Sequence, residues 1–234
     1  MSRGTPTGVA LAWSSGKDAA WALNVLRGDP DLDVRVLLTN FNESFGRAAM
    51  HGVRRSLVQA QAVAVGLPLH EVDLPWPCSN ACYEELMLGA IEEIKKRFGI
   101  THLAFGDLFL DDVREYRLRM LKGSGVEPLF PLWGEPTRPL AERMIAAGVK
   151  AYLVCIDPRM LAPSFAGRAF DRSLLDDLPA DVDACGEHGE FHTIVVDGPS
   201  FQNPVAVASG EVVERDGFVF ADFSMPLGDQ VMST

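Results

Sequence analysis

Near the start of the chain, Ser14-Ser15-Gly16-Lys17-Asp18 carries the groups that a phosphate needs. Two hydroxyls can donate hydrogen bonds, a glycine lets an oxyanion approach the backbone, and Lys17 brings a mobile positive charge. The segment follows the apolar run Val9–Trp13 and opens a helical pattern at Lys17. A helix start of this kind presents unpaired N–H groups and the positive end of the helix dipole, and both favour an anion. The spacing is neither GxxxxGK[ST] nor GxGxxG. A tight strand–helix turn capped by serine would use the same letters.

A second cluster lies far down the chain, at Cys185-Gly186-Glu187-His188-Gly189-Glu190-Phe191-His192-Thr193, followed by Asp197-Gly198-Pro199. Two carboxylates and a histidine between glycines can hold a metal, bind a cation or move a proton. An acidic turn whose His192 alternates into solvent is the plainer alternative. Between the clusters, Gly106-Asp107 follows an expected strand, at the edge where open α/β sheets bind ligands. Asp107 there can hold Mg²⁺, orient a substrate or cap a short turn. Arg114 and Arg117 share a helix face; they can meet a phosphate or carboxylate, or pair with Asp111, Asp112 or Glu115. Cys78 and Cys82 are spaced more loosely than CxxC and have no second ligand pair nearby, so they are a weak metal signal. Cys155, inside the apolar run AYLVCI, is expected to be a buried small hydrophobe.

The elements that must position these groups alternate in type. Strands are expected at Val9–Trp13, Val34–Thr39, Leu69–Leu74, Thr101–Phe105 and Glu127–Leu132. Helices are expected at Lys17–Leu26, Gly52–Val65, Tyr83–Phe98 and Asp112–Leu121. In the third helix, Met87, Ala90, Ile91, Ile94 and Phe98 form one apolar stripe, with Glu92/Lys96 and Glu93/Arg97 as outer pairs. Strands alternating with helices predict an α/β fold built on a parallel sheet with covered faces. After Trp133 the pattern changes. Thr137 is expected to cap a helix ending at Gly148, and Val149–Ile156 reads as a strand. Three further strands, Phe191–Val196, Val205–Val213 and Phe218–Phe223, follow a proline-containing stretch. We therefore expect two units, residues 1–133 and a smaller α+β unit at 134–234.

Composition narrows the function classes. The 234 residues are 47% hydrophobic and 23% charged, an ordinary globular balance. The net charge is −11. It is uneven: 14 Lys and Arg stand against 16 Asp and Glu in residues 1–133, and 7 against 16 in residues 134–234. No basic stripe offers itself to a nucleic-acid backbone. No apolar run approaches the roughly 20 residues that span a bilayer, and the five-residue run near the N-terminus is short for a signal-peptide core. A soluble, cytoplasmic protein is expected, with a loose stretch over the last eight residues and a homodimer covering the apolar strands of the second unit.

Ser14–Asp18 resembles the SGGKDS loop of the pyrophosphate-loop ATPases. GExGEFxT with DGP resembles the C-terminal signature of the diphthine–ammonia ligase family within that superfamily. The stretch from Gly106-Asp107 through Asp111, Asp112, Arg114, Tyr116 and Arg117 to Pro131-Leu132-Trp133-Gly134 resembles that family's middle. The resemblance runs in order over about residues 9–201. The EFHT form and the GDLFLDDVREYR segment look like a bacterial branch.

The resemblance implies a Rossmann-like five-stranded parallel sheet of the adenine-nucleotide alpha-hydrolase type and an AMP-forming amide ligase. In that family ATP activates a carboxylate as an acyl-adenylate, ammonia attacks, and AMP and pyrophosphate leave. In a bacterial member the implied acceptor is a carboxylate other than diphthine, with ammonia supplied free or by a partner. Carried over residue by residue, Ser14, Ser15, Gly16, Lys17 and Asp18 would hold the phosphates, and Gly106 would line the nucleotide site. Thr39 and Asn40 would lie where the adenosine packs. Asp18 and Asp107 would approach Mg²⁺, and Glu187, Glu190 and His192 would face the substrate. Two positions depart from the pattern: Ser15 stands for a glycine, and Ala19 stands for a serine whose hydroxyl faces phosphate. The second leaves open a nucleotide-binding sensor with little turnover. A tRNA-modifying relative would want a catalytic cysteine pair and a basic surface.

Overall fold

The computed structural model describes residues 5–48 and 52–226; the expected loose C-terminal stretch lies outside them. Five parallel strands build the first sheet: β1 (Thr7–Ala12), β2 (Leu32–Asn42), β4 (Leu69–Leu74), β5 (His102–Ala104) and β6 (Glu127–Leu129). Their spatial order is β4-β2-β1-β5-β6. A two-residue strand, β3 (Arg47–Ala48), returns antiparallel against the end of β2 and has no counterpart in the sequence reading. Such a short return carries no periodicity to read.

Helices α1 (Lys17–Gly28), α2 (Arg55–Val65), α3 (Asn80–Phe98) and α4 (Asp111–Leu121) connect the strands. Alternation along the strands sends side chains to opposite faces. Val9 and Leu11 of β1 join Leu37 and Phe41 of β2 in a core shared with α1 and α2. Ala10, Val36 and Leu38 join the expected α3 stripe of Met87, Ala90, Ile91 and Ile94 on the other face. The outer pairs on α3 differ in part from expectation. Glu92 reaches Lys96 at 3.2 Å, but Glu93 pairs with His70 of β4 rather than with Arg97. All these groups sit near water, where such pairs contribute little.

The second sheet is antiparallel, in the order β8 (Phe191–Asp197), β7 (Lys150–Ile156), β10 (Phe218–Ser224), β9 (Ala208–Arg215). Helix α5 (Thr137–Ala146) leads into it, and the short α6 (Arg172–Asp177) lies between β7 and β8. Thr137 is not the cap of α5. Pro136 holds the cap position, and the Thr137 hydroxyl donates to the Asp183 carboxylate. The sheets are separate but their core is not. Leu140, Met144, Leu153, Ile194 and Val195 belong to the same apolar cluster as α1, α2 and β1. No helix among the described residues is long and apolar enough to cross a membrane.

One buried amide joins the two layers. Gln61 of α2 is fully buried. Its oxygen accepts from the Trp13 indole at 2.9 Å, and its nitrogen donates to the Ser15 carbonyl at 3.1 Å and the Val195 carbonyl at 2.6 Å. A leucine would fill the space but leave the Trp13 indole without its acceptor and take one donor each from the Ser15 and Val195 carbonyls, of which Ser15 keeps its bond from the Val195 amide. Gln61→Leu is therefore expected to lower stability by about 3–5 kcal/mol in denaturant unfolding, although it removes no charge and opens no large cavity.

Candidate active site

In the five-strand order, the chain moves from β1 to β2 on one side and returns to β5 on the other. The crevice beyond the carboxyl ends of β1 and β5 is thus the topological switch point of the sheet, where open α/β folds bind ligands. Ser14-Ser15-Gly16 follows β1, and Gly106-Asp107 follows β5. The two loops touch. A Cβ on Gly106 would stand 3.1 Å from the Ala19 nitrogen and 3.1 Å from the Asp18 carbonyl carbon. Only glycine lets the β5 loop come this close to the first turn of α1.

The third component comes from the second sheet. The Lys17 amide donates to Thr193 Oγ1 at 3.1 Å, and the Val195 amide donates to the Ser15 carbonyl at 2.9 Å. Gly16, the cap residue of α1, brings no side chain, so Thr193 of β8 does the capping. The register of β7 against β8 slips between Leu153 and Cys155, opposite His192 and Thr193. Bulges of this kind re-aim side chains beside sites.

The loop before β8 is organised by Asp183. Its Oδ1 accepts from the Cys185 and Glu187 amides, at 2.9 and 3.2 Å, and its own amide donates to Glu190 Oε1 at 2.9 Å. Gly186 has φ +73°, and a Cβ there would meet the Phe191 carbonyl oxygen at 2.6 Å. Glu187 then reaches across to β5's loop, accepting from the Leu108 amide at 2.7 Å. His188 packs edge-on against Phe109, with ring centres 5.2 Å apart. A cleft of about 430 Å³ adjoins this loop, with Thr137, Asp181, Asp183 and His188 among its lining residues.

Lys17 is 1% exposed. Its ammonium bonds Asp18 Oδ2 at 3.0 Å and the Cys185 carbonyl, and lies 5.2 and 5.3 Å from the ring centres of Phe170 and Phe191. Burial opposes its charge, but Asp18, Cys185 and Glu187 outweigh burial and raise its pKa above the usual lysine value. Burial also raises Asp18, against the pull of Lys17. It raises Asp107, opposed by Arg117 at 3.5 Å. Glu187 is pushed up to about 7, chiefly by burial, with Asp18 and Asp107 adding to it. His192 is pushed down to about 4, by burial and then by Lys17, so it is neutral at pH 7 and does not simply face solvent.

Seven buried side-chain atoms find no hydrogen-bond partner among the described residues. Six belong to these loops and their flank: Ser15 Oγ, Asp18 Oδ1, Asp107 Oδ2, Arg114 Nε, Arg117 Nε and Glu190 Oε2. Unsatisfied buried polar atoms are costly, and six of the seven gather around the switch point. Arg114 and Arg117 rest on aromatic rings, and Arg117 faces Asp107 rather than Asp111, Asp112 or Glu115. Thr39 is spent on the fold, its hydroxyl donating to the Trp13 carbonyl at 2.7 Å. Asn40, next to it on β2, is half-buried beside β4.

Residues 136–221 match the family described as Diphthamide synthase C-terminal domain. A bovine and a human protein, each named diphthine–ammonia ligase, are both 27% identical over 133 residues, covering 55% of this chain and 50% of their own length. A zebrafish protein of the same name is 24% identical over 186 residues, 72% of each chain. The chain is similar to proteins named diphthine–ammonia ligase. It spans about half the length of the bovine and human relatives it matches.

The Diphthamide synthase C-terminal domain match covers α5 through part of β10, which includes Asp183, Glu187, Glu190 and Thr193. Sequence reasoning picked out the carboxylates in that stretch but missed Asp183, Gln61 and the capping role of Thr193. Asp183 stands two residues before Cys185, and an Asx turn into the glycine loop was the available signal. Nothing local pointed to Gln61.

Two expectations follow from these environments. Ser15 has φ +70° and a buried hydroxyl without a partner. Ser15→Gly, which restores the residue of the SGGKDS loop it resembles, should stabilise the fold by about 1 kcal/mol, read as a higher Tm. The pH profile should have two arms. His192, with its pKa lowered to about 4, contributes stability that is complete above its unfolded value of about 6.5 and lost as pH falls toward 4. Glu187, raised to about 7, weighs against the fold as pH climbs from about 4.5 through 7. Unfolding free energies from pH 4 to 8 should show His192→Asn flattening the acid arm by about 2 kcal/mol. Glu187→Gln, which can still accept from Leu108, should flatten the other.

Proposed function

We propose that this chain is an ATP-dependent amide ligase, which adenylates a carboxylate and amidates it with ammonia, releasing AMP and pyrophosphate. The observation that carries the proposal is the meeting, at the switch point of the sheet, of the Ser14–Asp18 loop, the Gly106–Asp107 loop and the Glu187–Thr193 segment. Similarity to proteins named diphthine–ammonia ligase supports the reaction class and makes ammonia a substrate to test; ATP comes from the resemblance of Ser14–Asp18 to the pyrophosphate loop.

The chemistry asks little of the protein as a nucleophile. The acceptor carboxylate attacks the α-phosphorus, and the protein must align the two and neutralise charge. Ser14, Ser15, Gly16 and the first turn of α1 would hold the phosphates, with Lys17 drawn from its present contacts toward them. Thr39 would shape the adenosine side through the backbone it ties, and Asn40 would face it directly. Asp18 Oδ1 and Asp107 Oδ2, both buried without a hydrogen bond, fit a Mg²⁺ ion that takes its remaining ligands from phosphate and water. When bound, that ion would neutralise phosphate charge. Among the described residues no group of three or more His, Cys, Asp or Glu side chains forms a metal cage by itself. A carboxyl poised near pH 7 can take a proton from the attacking nitrogen, and this role falls to Glu187. Glu190 and Asp183 hold the loop that presents it.

A second reading is favoured by Lys17. Its ammonium is turned inward and held by Asp18, the Cys185 carbonyl and the Phe170 and Phe191 rings, and Ala19 brings no hydroxyl to the loop. A nucleotide-binding regulator with little turnover would tolerate that arrangement. Release of pyrophosphate from Mg·ATP, assayed with ammonium and a panel of carboxylates, separates the two. The ligase reading expects AMP and pyrophosphate in equal amounts, dependent on one acceptor, and a fall of at least 100-fold in Lys17→Met, on the scale of losing one charge-stabilising group. Tight ATP binding with no AMP under any condition would leave the regulator.

A further inference from the structure

On the β5–β6 flank of the site, α4 places Arg114 and Arg117 on one face of its first two turns. Arg117 lies 4.7 Å from the ring centre of Phe105. Arg114 lies 4.7 Å from the ring centre of Trp133 and 5.5 Å from that of Phe130. The three rings form a row, with Phe105 stacked on Phe130 at 5.7 Å and Phe130 edge-on to Trp133 at 5.8 Å. They arise at the carboxyl ends of β5 and β6 and just beyond, so the floor beneath the two guanidiniums is carried by the sheet.

An aromatic face offsets part of a cation's charge but accepts none of its in-plane hydrogen bonds. The Nε–H groups of both arginines are buried without an acceptor among the described residues. The nearest carboxylate, Asp107, stands 3.5 Å from Arg117 Nε, outside hydrogen-bond geometry. Other partly buried arginines are spent on the protein. Arg27 bonds the Ser200 and Val65 carbonyls, and Arg47 bonds the Gly52 carbonyl and Asp222. Two guanidinium planes held in place with unused donors match the planar, two-oxygen edge of a carboxylate.

We propose that Arg114 and Arg117 form an oxyanion subsite that takes the carboxylate of the acceptor. The naming of the occupant as the acceptor rests on the ligase reading; the subsite itself rests on the geometry of α4 and the three rings. Its position suits that role. Gly106 touches the first turn of α1 and Asp107 faces Arg117, so the subsite is separated from the phosphate loop by the β5 loop alone.

Glutarate serves as the carboxylate probe and inorganic phosphate as the comparison, both at constant ionic strength. Binding is read from the carbon-13 shift of the labelled carboxylate and, for phosphate, from the phosphorus-31 shift. The wild-type chain should bind glutarate more tightly than phosphate at this place. The Arg114→Gln/Arg117→Gln chain should lose at least tenfold in glutarate affinity while its Kd for Mg·ATP stays within twofold. Arg114→Lys/Arg117→Lys keeps both charges and the ring contacts but not the fork, and should lose glutarate by a smaller factor, which separates recognition from misfolding. Three results would overturn the subsite: no glutarate binding by the wild type, equal binding by all three chains, or a tenfold loss of Mg·ATP in parallel. Tighter binding of phosphate, lost in the same variants, would assign the arginines to the nucleotide and overturn the carboxylate. Loss of glutarate in the variants without acceptor-dependent AMP from the wild type would remove the ligase reading and leave the subsite standing.

Discussion

The arrangement of the site depends on one helix start that is capped from another sheet. Gly16 brings no side chain to the N-terminus of α1, and the Lys17 amide bonds instead to Thr193 of β8. The Val195 amide returns the connection to the Ser15 carbonyl. These two bonds fix the second sheet against the β1 loop, and Gln61 closes the ring from behind. Because the capping comes from outside the helix, these bonds to the loop exist only with β8 in place. The site is therefore a product of the assembled fold rather than of the first five strands alone.

The same dependence explains the shared core. A second unit that merely followed the first would bury its own apolar face and leave a polar seam between the two. Here α1 and α2 are covered by the first sheet on one side and by residues of the second sheet on the other. Glu187 is then buried between the loops, which raises its pKa although the Leu108 amide opposes the rise, and His192 is buried near Lys17, which lowers its own.

Much of the first sheet was legible in the sequence because parallel strands covered on both faces read as continuous apolar runs. β4 was placed to the residue, and α3 began three residues earlier than expected, where Ser79 caps it through the Cys82 amide. The glycine-bounded loops were also legible, since close backbone approach and positive φ leave a mark on residue type. The ties between them were not. Gln61, Asp183 and Thr193 bond across long sequence separations, and a residue chosen for a distant partner disturbs no local period. Thr137 shows the reverse error: its type suits a cap, but its hydroxyl is claimed by Asp183 and the cap falls to Pro136.

The two departures from the phosphate-loop pattern have different physical meanings. Ser15 sits at φ +70°, a conformation that glycine adopts without cost, so its side chain is kept against the preference of the backbone. Its hydroxyl is buried and has no partner among the described residues. A residue that costs the fold at both its backbone and its side chain is most simply understood as serving something that binds there. Ala19 is the opposite case. It is 2% exposed and packed in the apolar core of α1, against the glycine of the β5 loop. A hydroxyl at 19 would have to leave that contact to reach a phosphate, while a hydroxyl at 15 is already at the mouth of the helix. On the ligase reading, Ser15 would supply a hydroxyl on the other side of Gly16 and Lys17, so the loss at position 19 need not be a loss to the site.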